Sequence, residues 1–216
     1  KDSILEIGWA VWDLARKCAL KVGGGIVAGV TVPAKIEKLT GIMQSDVTEF
    51  GRSLDGLLDE VPTFAETGAE FFAGHNVKAF DRLFLERVRV GRFGGVPWLD
   101  SYTDLPRDVA PGKLLMMCAE HGFLPGGSHR ALDDALASAR LLSCYPPDRL
   151  AFRARQPEAI YRSMQAFDAN DAAKALGFGW QNAGGKTFPK WWVKAVKACD
   201  APALEQEAKA AGFTIN

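Results

Sequence analysis

The sequence predicts an α/β protein in which helices pack against a mixed sheet, followed by a small C-terminal α+β module. Three observations support this prediction. Two apolar runs near the start, 4–13 and 20–32, are rich in the β-branched and aromatic residues of strands. From residue 33 to residue 145, helical spacing alternates with short strand-like runs. The stretch PPDRLAFRARQP then combines paired prolines with mixed charge, which we interpret as the end of the first domain and a linker, with a boundary near Pro157.

Each element of the first domain, 1–150, has a local signal. The first run predicts one buried strand, and the second predicts a second strand and, after a turn or bulge, a third. In VPAKIEKLTGI, Pro33 suits the first position of a short helix and Gly41 its end. Later strands are expected in GAEFFAGH and PWLDSYTDLP. Helices are expected in DVTEFGRSLDGLLDEV, DRLFLERVRV, KLLMMCAEHGF and HRALDDALASARLLSCY, the last with Ala131, Ala135 and Ala139 on its packing side.

The C-terminal module, 158–216, has its own pattern. NDAAKALG and APALEQEAKAAG predict helices, and GWQNAGGKTFPKWWVKAV predicts a hairpin that turns at Gly184-Gly185. Tryptophans alternate there with lysines, namely Trp180, Trp191 and Trp192 with Lys186, Lys190, Lys194 and Lys197. Such a mixture suits the stacking of single-stranded bases. It also arises when a small module builds its core from large aromatic residues, and this interpretation is favoured.

Charge and composition narrow the function classes. The 216 residues contain 26 Lys+Arg and 26 Asp+Glu, so no overall field draws the protein to nucleic acid or to a membrane, and a polyanion would have to meet a local patch. Four separated cysteines without a C-x-x-C pair suit free thiols in a reducing compartment. With no apolar run of membrane-spanning length and no signal segment, we expect a cytoplasmic protein without a membrane partner.

Two polar islands carry the chemistry. In HNVKAFDRLFLE, Asp81 falls at a predicted helix start. In GSHRALDDALASARLL, His129 and Asp134 stand at i and i+5 where a glycine-rich loop enters a helix. Hard divalent cations take oxygen ligands, and a histidine with a pKa near ~6.5 can accept a proton from water at neutral pH. One carboxylate from each island with one imidazole therefore suits metal-assisted hydrolysis.

Each of these residues also has an ordinary structural explanation. Asp81 could simply cap a helix, and His129 could be a surface or capping residue. Asp133 and Asp134 could both serve the helix dipole. We interpret His75 and His121 as structural, and Asp100 and Asp104 as loop residues, although Asp100 follows a strand-like run that could approach the cleft.

Over about residues 4–145, the ordered set ILEIG, LTGI, HNVKAFDRLFLE and HRALDDA resembles the DEDDh branch of the 3′–5′ exonuclease superfamily, which includes the polymerase III epsilon proofreading subunit. The resemblance implies a ribonuclease-H-like mixed sheet flanked by helices, and a hydrolase that cleaves phosphodiester bonds at the 3′ end of a nucleic acid with two Mg²⁺ or Mn²⁺ ions. It implies Asp81 and Asp134 as metal ligands, His129 as general base, and Asn76 as the substrate-binding asparagine of the family's HN pair. The implied partner is a single-stranded 3′ end, DNA or RNA, and a polymerase or repair protein is compatible with it.

Two departures from the family pattern affect the prediction. The first family motif, D-x-E, normally lies on a strand just before ILEIG, and the chain has no match for it. Glu6 is no substitute, because it aligns with the glutamate of the ILEIG-like strand, and Asp2 and Asp13 lie at the wrong positions. The chain begins late in a longer protein, its leading strand is left out, or the lineage lost the motif. The last case would leave an inactive nucleic-acid- or protein-binding module. The second departure is HN-x-x-x-FD, one residue longer than the common spacing.

Overall fold

A computed structural model describes residues 3–89, 93, 95–106, 109, 111–127, 129–163, 171–182, 190–212 and 214–216. The chain has a mixed α/β fold with several small sheets. It divides into two compact units, Lys1–Ala154 and Arg155–Asn216, and the predicted boundary near Pro157 lies close to this division.

The first unit contains two small sheets. Strands β1 (Glu6–Asp13) and β2 (Cys18–Ile26) pair antiparallel, with a register shift at Val11/Trp12. Strands β3 (Phe72–Gly74) and β4 (Trp98–Asp100) pair parallel. The predicted third strand after β2 does not form. Val27 instead makes an isolated parallel bridge with Arg52, and residues 28–33 run on as turn and coil.

The helices of the first unit include the predicted ones, one of them divided in two, and two that were not predicted, Phe64–Thr67 and Pro147–Arg155. They are α1 (Ala34–Thr40), α2 (Gln44–Phe50), α3 (Leu54–Asp59), α4 (Phe64–Thr67), α5 (Asp81–Val88), α6 (Leu114–Glu120), α7 (Ala131–Leu142) and α8 (Pro147–Arg155). Helix α1 ends as predicted at Gly41, which has a φ of 72°, but Pro33 is its N-cap and not its first residue. The segment DVTEFGRSLDGLLDEV forms two helices, because Gly51 leaves the helical conformation and Ser53 then caps α3 through the N–H of Gly56 (3.1 Å).

The predicted linker PPDRLAFRARQP is wrong, because most of it is helix α8. Leu150 and Ala154, spaced i and i+4, are both buried in the core of the first unit. Proline is tolerated in the first turn of a helix, where its missing N–H is not needed. The paired prolines therefore mark the beginning of a helix and not the end of the domain.

Helix α7 packs against strands β1, β2 and β3. Its buried positions are Ala137, Ser138, Leu141 and Leu142, while the predicted Ala131, Ala135 and Ala139 are only half-buried. The prediction chose the small residues, but the longer leucines fill the core. Gly8 of β1 makes the approach possible, since a Cβ there would lie 2.1 Å from the backbone nitrogen of Leu132.

Among its described residues, the second unit has a three-stranded antiparallel sheet, two α-helices and a short 3-10 helix, Ala198–Asp200. It comprises β5 (Glu158–Ser163), α9 (Asp171–Ala175), β6 (Gly179–Asn182), β7 (Lys190–Lys197) and α10 (Ala201–Ala210), with strand order β5-β7-β6. Strand β5 was not predicted. The predicted turn at Gly184-Gly185 lies outside the described residues, although β6 and β7 pair antiparallel as a hairpin would.

The aromatic residues of the second unit build its core. Trp192 is buried, and its ring centroid lies 5.0 Å from that of Trp180. Lys197 is buried too, and its Nζ donates to the carbonyl of Gln156 (3.3 Å). These contacts favour the core interpretation of the tryptophans and lysines over base stacking.

The four cysteines are free thiols, with Cys118 buried in the core and the others exposed. Among the described residues, no helix is long and apolar enough to cross a membrane.

Candidate active site

The residues of the two polar islands meet at one edge of the β3–β4 sheet. Because these strands are parallel, their carboxyl ends lie side by side, and Gly74 is in register with Asp100. His75 and Asn76 follow β3 directly, α5 begins at Asp81, and α7 begins just after His129. The carboxyl ends of two strands and the N-terminal ends of two helices therefore come together, and we call the space between them the recess.

Asp100 is a buried residue whose carboxylate bonds the backbone next to this recess. Its side chain is 1% exposed. Its Oδ1 accepts hydrogen bonds from the backbone N–H groups of Asn76 (2.7 Å) and Tyr102 (2.9 Å), and its Oδ2 accepts one from the N–H of Lys78 (3.2 Å). Burial raises the pKa of Asp100, and these N–H donors oppose the rise. The carboxylate thus holds the backbone between β3 and α5, and its hydrogen bonds explain why Asn76 adopts a φ of 58°.

The extra residue of HN-x-x-x-FD lies in a turn that a second buried carboxylate secures. The Nζ of Lys78 lies 2.7 Å from Oδ2 of Asp104, which also accepts the N–H of Asp100 (2.9 Å). Arg153 of α8, itself buried, donates its Nε to the carbonyl of Asp104 (2.6 Å). The longer turn is therefore ordered by a polar network beneath the recess. Asp104 lies in a bend after β4, so it is a loop residue as predicted, but its carboxylate is buried in this network.

His75 lies close to Asp100 and to the predicted ligand Asp134. Its Nδ1 is 3.0 Å from the hydroxyl of Ser101, and the ring also bonds the backbone of Gly112. Burial lowers the pKa of His75, while the charges of Asp100 and Asp134 oppose this shift. The ring is therefore held in place by hydrogen bonds, as expected for a positioning residue.

Asp134 and His129 contact each other at the start of α7. The carboxylate of Asp134 accepts a hydrogen bond from the backbone N–H of His129. Burial raises the pKa of Asp134, and the imidazole charges of His129 and His75 act in the opposite direction. The neighbouring Asp133 turns away toward the preceding loop, where a Cβ on Gly127 would come within 2.5 Å of its Oδ2. Of the two adjacent aspartates, Asp134 is the one that faces the recess.

Asp81, the first residue of α5, interacts electrostatically with both other carboxylates. Its side chain is exposed, yet surrounding protein atoms remove enough water to raise its pKa to about 6, and the negative charges of Asp100 and Asp134 add to the rise. A carboxyl group with a pKa near neutrality, facing other carboxylates, is typical of sites that bind a cation.

This pKa makes a testable prediction for stability. Between pH 4 and pH 6 the folded protein binds more protons at Asp81 than the unfolded chain, whose ordinary pKa is 3.8, so the free energy of unfolding falls as pH rises through this window. We expect Asp81→Asn to raise the free energy of unfolding of the metal-free protein at pH 7, because it removes a charge that the surrounding protein atoms and the neighbouring carboxylates disfavour. Solvent screens part of this effect at the exposed side chain, so the expected gain is on the order of 1 kcal/mol. Urea unfolding at pH 4 should show no difference, and an equal gain at both pH values would contradict the prediction. The exposed Asp148→Asn of α8 is the control.

The beginning of α7 is clamped by Glu6 of β1. Glu6 Oε1 lies 2.8 Å from the Arg130 guanidinium, and Oε2 accepts the N–H of Ala131 (2.8 Å). One carboxylate therefore forms an ion pair and satisfies a free N–H group at the helix start. The Glu6 side chain is largely buried. Glu6 thus fixes the end of α7 that carries His129 and Asp134.

We expect Glu6→Gln to lower the unfolding free energy by about 1–2 kcal/mol, since it removes a charge-assisted, partly buried contact. Urea denaturation measures this change. Glu60→Gln is the matched control, because the Arg52–Glu60 pair is a fully exposed carboxylate–arginine contact and should contribute little. Equal losses from both variants would contradict the structural role of Glu6.

The predicted metal ligands fit the ion type but do not complete a site. Asp81 and Asp134 are oxygen donors, which suit Mg²⁺ and Mn²⁺. Among the described residues, however, no group of three or more His, Cys, Asp and Glu side chains is arranged to hold a metal ion. A metal site at this recess would need donors beyond these two carboxylates.

The sequence analysis assigned no role in the site to Asp100, and it did not predict the contacts of Glu6. Asp100 was interpreted as a loop residue, although its position at the end of a strand-like run was a usable signal. Glu6 was considered only as a replacement ligand, and nothing in its local sequence indicates that it contacts residues 124 and 125 positions away. No known protein family, curated protein or solved structure matches the chain.

Proposed function

We propose that this protein is a metal-dependent 3′–5′ exonuclease of the DEDDh type, with a ribonuclease-H-like nuclease domain. The observation that carries the proposal is the mutual electrostatic influence of Asp81 and Asp134, which come from different helices, with His129 bonded next to Asp134. Phosphodiester hydrolysis needs oxygen ligands for cations beside a group that accepts a proton from water, and these side chains combine both.

In this proposal each residue has a distinct role. His129 accepts a proton from the attacking water, and the adjacent Asp134 carboxylate stabilises the imidazolium that results. Asp81 and Asp134 hold Mg²⁺ or Mn²⁺, which when bound supplies positive charge to the scissile phosphate. Asn76 contacts the substrate strand, while Asp100 and His75 position these groups from below.

The open edges of the two sheets support a further strand in this fold. Helix α7 packs on both β1 and β3, yet among the described residues β1 pairs with β2 alone and β3 with β4 alone. A strand that paired with the free edges of β1 and β3 would join the two sheets into one mixed sheet. We propose that this strand comes from a segment outside the described residues and carries the D-x-E carboxylates, which would complete the ligand set.

Degradation of 5′-labelled single strands tests the proposal. We expect residues 1–216 alone to cleave little, whereas the protein extended upstream as its gene encodes it should release nucleotides from the 3′ end with Mg²⁺ or Mn²⁺. DNA and RNA substrates tested side by side establish the preference. If the extended protein carries D-x-E, binds Mn²⁺ and still leaves every strand intact, the exonuclease proposal is wrong and the binding-module alternative is preferred.

A further inference from the structure

The outer edge of β2, which faces away from β1, presents free backbone groups. The N–H of Val27 donates to the carbonyl of Leu5 (2.8 Å), so the backbone groups of Val27 face β1. This bond shows which residues of β2 face β1 and which face outward. In an antiparallel pair, every second residue directs its N–H and C=O away from the partner strand. By this alternation, Val22, Gly24 and Ile26 direct their backbone groups to the outer edge.

One residue of the chain already uses this edge. The N–H of Arg52 donates to the carbonyl of Ile26 (2.9 Å), and its carbonyl accepts the N–H of Ala28 (2.8 Å). The chain then enters α3, so no described residue bonds the outward backbone groups of Val22 and Gly24. The Arg52 guanidinium meanwhile bonds Glu60 (3.2 Å). An arginine whose backbone is hydrogen-bonded to this edge can therefore bond a nearby carboxylate with its side chain.

A cavity of about 420 Å³ lies beside the free part of the edge. Trp9 forms one wall, and its ring covers Gly23, where a Cβ would lie 2.3 Å from the indole. The indole N–H of Trp9 is buried and has no hydrogen-bond partner among the described residues. Asp59, Glu60 and Glu66 supply carboxylates to the same cavity. Asp59 and Glu60 already pair with Arg89 and Arg52, and Glu66 caps α4 through Thr63, so the cavity combines an aromatic wall with carboxylates that keep further acceptor positions.

The register shift at Val11/Trp12 gives this edge partial protection against strand addition, but Val22 and Gly24 stay in regular register with β1. Edge strands are normally shielded by inward-pointing charges, prolines or bulges, or by a covering element. Here Leu20 and Val22 are 59% and 47% exposed. Lys21 is the one cation of the cavity lining, and its ammonium lies 5.6 Å from the Trp9 ring. That position shows where a cationic side chain can lie against the wall.

We propose that the β2 edge binds an extended segment of a partner protein that carries a lysine or arginine. The segment adds a strand through the backbone groups of Val22 and Gly24. Its cationic side chain displaces Lys21, packs its aliphatic part on Trp9 and directs its charge to the carboxylates. Arg52 of this chain already combines both contacts, because its backbone bonds the β2 edge and its guanidinium bonds Glu60. The proposal does not depend on nuclease activity.

Titration of the ¹⁵N-labelled protein with the capped peptide Thr-Val-Thr-Arg-Thr-Val-Thr tests the proposal by nuclear magnetic resonance. We expect the amide signals of Val22 and Gly24 and the indole signal of Trp9 to shift. The same peptide with glutamate at its centre, and one N-methylated at alternate residues, should each bind about tenfold more weakly or worse. The first control removes the complementary charge, and the second removes the backbone donors.

Protein variants separate the backbone contribution from the side-chain contribution. Val22→Pro removes the outward N–H and should lose binding about tenfold, whereas Val22→Thr keeps the N–H and should bind normally. Trp9→Phe should weaken binding while leaving the amide shifts in place. If Val22→Pro does not fold, the N-methylated peptide decides the backbone contribution.

Three results would overturn the proposal. The first is the absence of shifts at Val22 and Gly24 at millimolar peptide. The second is equal binding of the arginine, glutamate and N-methylated peptides. The third is a concentration-dependent change of the same signals without peptide, which would make a second copy of this chain the occupant of the edge.

Discussion

Replacement of His129 by alanine is expected to lower the turnover number of the metal-loaded, upstream-extended protein by about 10²–10⁴-fold, with little change in KM. The reason is that the imidazole acts only when the water loses its proton and does not hold the substrate. Asp134→Asn should cause a loss at least as large, because it removes a metal ligand and the carboxylate beside His129. Single-turnover release of labelled 3′-terminal nucleotides measures both.

The control for Asp134 is its neighbour. Asp133 belongs to the same helical turn and carries the same charge, but its carboxylate faces Gly127 and not the recess. Asp133→Asn should therefore leave turnover nearly unchanged. Metal affinity provides a second measurement, since Asp134→Asn should weaken Mn²⁺ binding and His129→Ala should not. Full activity in both His129→Ala and Asp134→Asn would rule out the assignment of these residues.

Replacement of Asp100 by alanine is expected to lower the free energy of unfolding by about 3–5 kcal/mol, the largest stability effect predicted for the site. The variant leaves the N–H groups of Asn76, Lys78 and Tyr102 without their acceptor in a region that water does not reach. Asp100→Asn should cost less, because its amide oxygen can still accept two of the three bonds. Urea or thermal unfolding measures both changes.

Backbone measurements distinguish this role from a general loss of stability. In Asp100→Asn, the amide of Lys78, whose acceptor Oδ2 is replaced by an NH2 group, should exchange hydrogen faster, while the amides of α10 in the second unit should keep their protection. Asp148→Ala, at an exposed position of α8, is the matched control and should leave stability unchanged. A stability loss below that of Asp148→Ala would contradict the role assigned to Asp100.

The elements that could be predicted are those with strong local signals. Gly41 ends α1 because a left-handed residue is required there, and Asp81 begins α5 ahead of an apolar helical face. The predictions were wrong where one local sequence pattern is compatible with two different structures. The paired prolines before α8 fit a linker or a helix start, and only the burial of Leu150 and Ala154 in the core distinguishes them.

In the candidate site, too, local signals predict some features and only long-range contacts decide the others. The types and spacing of Asp81, His129 and Asp134 predict the proposed chemistry, because metal ligands and proton acceptors are defined by functional groups. Their support could not be predicted, since Asp100 and Glu6 act on residues distant in sequence. Asp133 and Asp134 are equivalent by local sequence, and the direction of each side chain depends on how α7 meets the preceding loop.

The sequence by itself determined the mixed α/β class and the ends of helices such as α1 and α5, because these depend on the hydrophobic pattern and on the backbone preferences of neighbouring residues. Only the tertiary structure decided that Asp134 faces the recess, that Glu6 clamps α7, and that the outer edge of β2 lies open beside Trp9. Those features depend on contacts between residues far apart in the chain. Such contacts form only when the burial of the shared core brings the distant segments together.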